Sequence, residues 1–210
     1  MYFQNQKAML QRSDEWFEQR RGRFTASRIS DLLGVKGLGK TGETYAFEKA
    51  AEIVFGIEKD ELVSWDIRRG VELEPYAFEL FCELNKDENI QESMFFPYED
   101  NAGASPDGLV GFDSVLEIKC PRPKKLFRLI ADGVDAIDSN YIDQMQMQMM
   151  CTNSKQCYFF NYVEWGEEVF HHTLIVERDE ERISLIKDRI KEAVVIRDEF
   201  VQYLITNKQF

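Results

Sequence analysis

Ser105-Pro106-Asp107-Gly108 is followed, ten positions on from the aspartate, by Glu117-Ile118-Lys119. Pro and Gly suit a tight turn, and Ser114–Cys120, a β-branched and apolar run between turn signals, reads as a strand. Strand side chains alternate faces, so Glu117 and Lys119 project together while Leu116, Ile118 and Cys120 point to a core. Charges on a buried apolar strand are costly unless they have partners. Asp107 leaves its turn just ahead of that strand, so hairpin pairing can set it beside Glu117. Two such carboxylates offer the hard oxygen ligands that Mg²⁺ or Mn²⁺ prefers, and the Lys119 ammonium can hold a water or hydroxide next to the ion. Singly, Ser-Pro-Asp-Gly is a turn and Glu-x-Lys a solvated face or a cross-strand ion pair. Together they bring two hard oxygen ligands and one ammonium to the same place.

The surrounding sequence must position these groups. Ser13 is an N-cap for a helix over Asp14–Arg21 that Gly22 stops. Thr25 or Ser27 caps a short helix ending near Gly34, Val35–Gly42 reads as a loop, and a helix covers Glu43–Phe55 with Gly56 as its stop. Helical periodicity runs over Asp66–Leu84 with a kink or restart expected at Pro75. Glu92–Tyr98, Gly103–Ser105, Lys155–Trp165 and Val169–Val176 read as further strands. Helices are predicted over Lys124–Ala131, Ser139–Cys151 and Asp179–Thr206. The Gln-Met alternation of Gln144–Met149 has strand spacing, yet a helix puts Tyr141, Gln144 and Gln148 on one face with Met145 and Met149 packed beneath. The pattern is α/β or α+β around a mixed central sheet flanked by helices. It reads as one domain over residues 1–210, with 1–12 a loosely ordered N-terminal segment.

The 210 residues hold 26 Lys+Arg against 38 Asp+Glu, a net charge of −12. That field argues against polyanion binding by the molecule as a whole. Exposed charges are screened beyond about 10 Å at 0.1 M salt, however, so a local basic cleft remains effective. Sixteen Phe and eight Tyr argue against disorder. No stretch approaches the roughly 20 apolar residues of a membrane span, and no signal-peptide pattern opens the chain. Cys82, Cys120, Cys151 and Cys157 have neither the spacing of an iron–sulfur site nor a secretory context, so reduced, mostly buried thiols are expected. His171 and His172 diverge on a strand and receive no role. Trp16, Trp65 and Trp165 are read as packing residues.

The Asp107…Glu117-x-Lys119 pattern reproduces the signature of the PD-(D/E)xK nucleases, which implies a restriction-endonuclease-like core. In chain order it is joined by Arg20-Arg21-Gly22-Arg23-Phe24-Thr25-Ala26-Ser27, Gly70 with Glu74, Tyr141-Ile142-Asp143-Gln144, Tyr158-Phe159-Phe160-Asn161-Tyr162 and Val176-Glu177-Arg178-Asp179-Glu180. This series resembles the lambda exonuclease (YqaJ-type viral recombinase) family of phage alkaline exonucleases, from about Ser13 to the last helix. The resemblance implies Mg²⁺-dependent 5′-to-3′ degradation of linear double-stranded DNA to mononucleotides, leaving 3′ overhangs for recombination. It also implies a homotrimer, a single-strand annealing partner and a phage or prophage origin in bacterial cytoplasm. Carried over by motif, Asp107 and Glu117 are the metal ligands with the Ile118 carbonyl, and Lys119 positions or activates the attacking water. Glu74 is a further acidic residue for a second ion, and Gln144 completes the site. Arg20 grips the terminal 5′-phosphate, with the Ser27 and Ser105 hydroxyls nearby.

Arg23 and Arg28 extend that first basic group, each equally readable as part of a solvated helix end. Arg122, Lys124, Lys125 and Arg128 follow the catalytic strand. The last three share a helical side and are candidates for tracking the DNA backbone. Two alternatives stay open: a PD-(D/E)xK endonuclease, and a catalytically silent DNA-binding scaffold for recombination.

Overall fold

The Ser13 hydroxyl accepts a hydrogen bond from the Trp16 backbone N–H at 3.2 Å and so caps α1 (Asp14–Arg20), whose first turn carries Asp14 and Glu15 at the positive end of the helix dipole. The computed structural model describes residues 13–56 and 65–207; the predicted N-terminal segment 1–12 lies outside the described residues. After α1 come β1 (Phe24–Thr25), a 3-10 helix over Ala26–Leu32, α2 (Gly39–Phe55) and α3 (Trp65–Leu84). Five short strands follow: β2 (Ile90–Glu92), β3 (Phe96–Tyr98), β4 (Ala102–Ala104), β5 (Gly108–Val110) and β6 (Ser114–Lys119). Helices α4 (Pro123–Asp132) and α5 (Ser139–Thr152) then lead to β7 (Gln156–Trp165), β8 (Glu168–Glu177) and α6 (Glu180–Thr206).

Two mixed sheets result. One runs β2-β5-β6-β7-β8 and the other β1-β4-β3. β6 and β7 are parallel, so the chain must cross over between them, and α4 and α5 are that crossover. Helices cover both faces of the larger sheet. Leu116, Ile118, Phe160 and Tyr162 pack with Ala77 and Phe81 of α3. Val115, Cys157 and Phe159 pack on the other face with Leu129, Met145 and Met149. The opposite side of α5 gives Met147 and Met150 to a second core with Phe24, Ile29, Leu32, Tyr45, Ile183 and Ile186. Every residue from Met145 to Met150 is therefore buried. The alternating run is a helix wedged between two cores, and flexible methionines fill its irregular surroundings.

The structure departs from the sequence pattern in four places. α2 starts four residues before the expected Glu43, because Leu38 is buried and Gly42 lets the first turn close on it; a Cβ there would meet Leu38 Cβ at 2.9 Å. α3 continues through Pro75 with no restart; Pro75 is exposed and its missing N–H frees the carbonyl of Val71 at the cleft wall. The predicted strand Glu92–Tyr98 divides into β2 and β3, which join different sheets. β1 and β5 were not predicted, being only two and three residues long.

Gly22 turns the chain out of α1 with φ +69, and a Cβ there would strike the Ile53 side chain at 2.5 Å. Its N–H donates to Glu52 at 2.9 Å and its carbonyl accepts from the buried Arg197 of α6 at 2.8 Å. The turn that follows Arg20 is thus fixed from both sides. α6 is also tied to α5, through a two-pronged bond from Arg182 to Asp143 at 2.6 and 2.8 Å. Asp143 is 3% exposed. Arg182→Met is expected to cost about 3 kcal/mol in urea unfolding, since it strands a buried carboxylate. The pair Arg182→Met/Asp143→Leu is expected to recover most of that loss, and a single variant as stable as the parent would show the bridge to be idle.

Candidate active site

The β5–β6 hairpin builds the centre. Its antiparallel register sets Gly108 opposite Leu116, which places Asp107 opposite Glu117. The Asp107 N–H donates to the Leu116 carbonyl at 2.9 Å, and its carboxylate accepts from the Ile118 N–H at 2.6 Å. Glu117 is 1% exposed, on the face that meets α5. One of its oxygens accepts from Gln144 at 2.6 Å and from the Lys119 ammonium; the other accepts from Gln148 at 2.5 Å. Glu117 and Lys119 share a face as the alternation predicts, and helix donors take the place of water around Glu117.

Burial, then the neighbouring Glu117 charge, drives the Asp107 carboxyl well above the ordinary aspartate range, with Lys119 opposing and Glu74 adding to the shift. Burial works against the Lys119 ammonium as well, but the Glu117 and Asp107 carboxylates outweigh it and hold the lysine above its ordinary value. Ile118, Lys119 and Glu74 line a cleft of about 1110 Å³ together with Gly70, Tyr141 and Asn161. The Tyr141 ring is near two ammonium groups, with Lys119 Nζ at 5.0 Å and Lys125 Nζ at 4.6 Å from its centroid. Arg122, Lys124, Lys125 and Arg128 also line this cleft, where Lys125 is paired with Asp138 and Arg128 with Asp132.

A second cluster adjoins the first along the chain. Arg20 lies over the Trp16 indole at 4.0 Å and donates to the Ser105 hydroxyl at 3.3 Å, and the Trp16 Nε1–H donates to the same oxygen at 3.1 Å. Burial lowers the Arg20 pKa to about 10, against the favourable fields of Tyr45 and Glu52. Such a partly desolvated guanidinium is stabilised by an anion. Ser105 stands two residues before Asp107. Ser27 is exposed, 3.5 Å by its hydroxyl from that of Thr25. Arg28 is held by Asp31 at 2.9 Å and Glu48 at 2.5 Å, and Arg23 donates to the Gln19 carbonyl at 2.6 Å. The fold therefore joins Asp107, Glu117, Lys119 and Gln144 directly, and Arg20 with Ser105. It sets Glu74 at the same cleft and leaves Arg28 engaged with acids.

Gln148, Tyr141, Asn161 and Trp16 were given no site role in the sequence reading. For Gln148 the available signal was its position one turn after Gln144 on the same helical face. The cysteines are all free, and burial pushes Cys120 and Cys151 up to about 12, which makes them poor nucleophiles. His171 lies 5.8 Å from the Phe160 ring, apart from the carboxylate centre.

Among the described residues no group of three or more His, Cys, Asp or Glu forms a ready-made chelate. The donor set is instead two carboxylates beside neutral oxygens. Two buried acceptors in this region, Gln148 Oε1 and Asn161 Oδ1, have no hydrogen-bond donor among the described residues. Two facing carboxylates beside neutral oxygens and one ammonium fit a hard divalent cation. Bound there, such an ion supplies an acidified water and charge neutralisation at a phosphate.

The same mixed α/β fold occurs in solved exonucleases. The alkaline exonuclease LHK-Exo from Laribacter hongkongensis is 30% identical, with 92% of this chain and 97% of that one covered at a TM-score of 0.79. Its complex with dAMP matches equally, at 30% identity and TM-score 0.79 over 91% and 96% of the two chains. A phage-related exonuclease from Haemophilus somnus 129PT shares the fold at 18% identity and a TM-score of 0.71, over 87% of this chain and 96% of its own. No curated protein sequence matches. Residues 15–155 match the YqaJ-like viral recombinase domain, and the chain belongs to that family. Membership supports a nuclease function. No helix among the described residues is long and apolar enough to cross a membrane.

Proposed function

We propose that this chain is a Mg²⁺-dependent exonuclease, with Mn²⁺ as a substitute, that degrades the 5′-ended strand of linear double-stranded DNA and leaves 3′ overhangs for recombination. The observation that carries this reading is the hairpin that sets Asp107 opposite Glu117 with Lys119 bonded to Glu117, two residues from the Ser105–Arg20 cluster. Asp107, Glu117 and the Ile118 carbonyl are the proposed metal ligands, with Glu74 for a second ion. The ion supplies the acidified water and offsets phosphate charge. Arg20 and the Ser105 and Ser27 hydroxyls bind a terminal 5′-phosphate, flanked by Arg23 and Arg28, while Arg122, Lys124 and Lys125 face the duplex backbone. Gln144 and Gln148 fix the orientation of Glu117. Lys119 positions or activates the attacking water.

LHK-Exo has been solved with dAMP, a deoxynucleoside monophosphate, and that class of molecule is the proposed product here. A homotrimer, a single-strand annealing partner and a phage or prophage setting in bacterial cytoplasm belong to the same proposal. The test compares an end-labelled linear duplex with a closed circle of the same sequence, with Mg²⁺ and with EDTA. Mononucleotides are expected from the linear form alone, and only with metal. Nicking of the circle would replace this reading with an endonuclease.

A further inference from the structure

Asn161 occupies the row of the sheet next to the catalytic strand, in parallel register with Lys119 on β6 and opposite His172 on β8. Residues in register share a face, so its side chain points the same way as Lys119 and Glu117. It is 1% exposed, yet it lines the cleft with Ile118, Lys119 and Tyr141. Its amide is oriented by chemistry, because Nδ2 donates to the Phe159 carbonyl at 3.2 Å and that carbonyl can only accept. Oδ1 is therefore turned the other way, and among the described residues no donor reaches it, His172 included. Buried acceptors are rarely left so, since an unmade bond there costs the full desolvation of the group. One donor stands in the adjoining strand position. The Lys119 ammonium has three N–H groups, and its hydrogen bond in this structure goes to Glu117.

We infer that Asn161 is a positioning residue for Lys119: its Oδ1 accepts from the ammonium when the Glu117 carboxylate is taken up by a cation, and so keeps the lysine aimed into the cleft. The inference rests on the nuclease reading above. In the present arrangement Glu117 shares one oxygen between Lys119 and Gln144. A cation drawing on that oxygen weakens the hold of Glu117 on the ammonium. A second anchor on the neighbouring strand keeps the amine at the carboxylate centre once that hold is weakened. Gln148 Oε1, the other buried acceptor without a donor, lies on a side chain already tied to Glu117, so it does not offer Lys119 a place away from that carboxylate.

The test is Asn161→Leu, which keeps nearly the same shape and deletes the orphan acceptor. Expected are a fall in kcat of about ten- to hundredfold, the worth of one hydrogen bond to a charged group, and a KM for duplex ends within about twofold of the parent. The melting temperature in EDTA is expected to be equal to or above the parent's, because an unsatisfied polar group has been removed. An unchanged kcat overturns the inference, as does a lowered melting temperature accompanying the loss, which would mean a purely structural residue. Asp107→Asn measured in parallel separates the two levels. If it retains turnover, the nuclease centre itself is misplaced; if it is dead while Asn161→Leu is fully active, only the role of Asn161 falls.

Discussion

Asp107→Asn is expected to abolish mononucleotide release from linear duplex DNA, by about a thousandfold or more, while making the metal-free protein more heat-stable. The two effects have one origin. Burial and the facing Glu117 drive the Asp107 carboxyl far above its ordinary range, so its charged form is disfavoured unless a cation is present. Asparagine keeps an oxygen for the Ile118 N–H, which Asp107 engages at 2.6 Å, and removes the charge. Losing a ligand to a Lewis-acid centre removes several kcal/mol of transition-state stabilisation, and about 4 kcal/mol is a thousandfold in rate. A quenched time course with Mg²⁺ measures the first effect, and melting in EDTA the second. Normal turnover would displace the proposed metal site, whereas a fall in melting temperature would show that Asp107 is anchored by something other than charge balance.

Arg20→Ala is expected to erase the preference for 5′-phosphorylated ends. Its guanidinium rests on Trp16 at 4.0 Å and touches the Ser105 hydroxyl at 3.3 Å, and burial has already lowered its pKa to about 10. A planar fork on phosphate oxygens is a charge-assisted contact of about 1.5–3 kcal/mol, or ten- to hundredfold. The loss is expected in kcat/KM on phosphorylated ends, with 5′-hydroxyl ends changing little. Arg20→Lys keeps the charge without the fork and is expected to fall between the two. Equal losses on both kinds of end would deny Arg20 any part in reading the phosphate.

The groups that were legible in the sequence are those whose geometry is local. Asp107 and Glu117 meet because one short hairpin joins them, and α4, α5 and α6 announce themselves through periodicity and caps within a few turns. Distant pairings were not legible. β1 lies beside β4 across some eighty residues of chain, and two residues carry no period to detect. Gln148 reaches Glu117 from another element, and Asn161 meets Lys119 only through sheet register. Charge is misread most easily. Arg28, Lys125 and Arg128 look like exposed cations in the sequence, but Asp31, Glu48, Asp138 and Asp132 share their fields. The α2 start was missed because Gly42 serves close packing against Leu38, and a glycine in a sequence does not say whether it loosens a chain or lets it approach.

Ser105 and Asp107 are separated by a single proline, and two residues of extended chain reach at most ~7 Å. On the proposed reading, the Ser105 hydroxyl of the terminus-binding cluster and the place of scission are bolted together by peptide bonds, and Arg20 joins them from α1 through its bond to Ser105. The length of fragment removed per cycle is then a ruler written into covalent geometry. Movement of α1 would loosen the Arg20 hold without shifting Ser105 relative to Asp107.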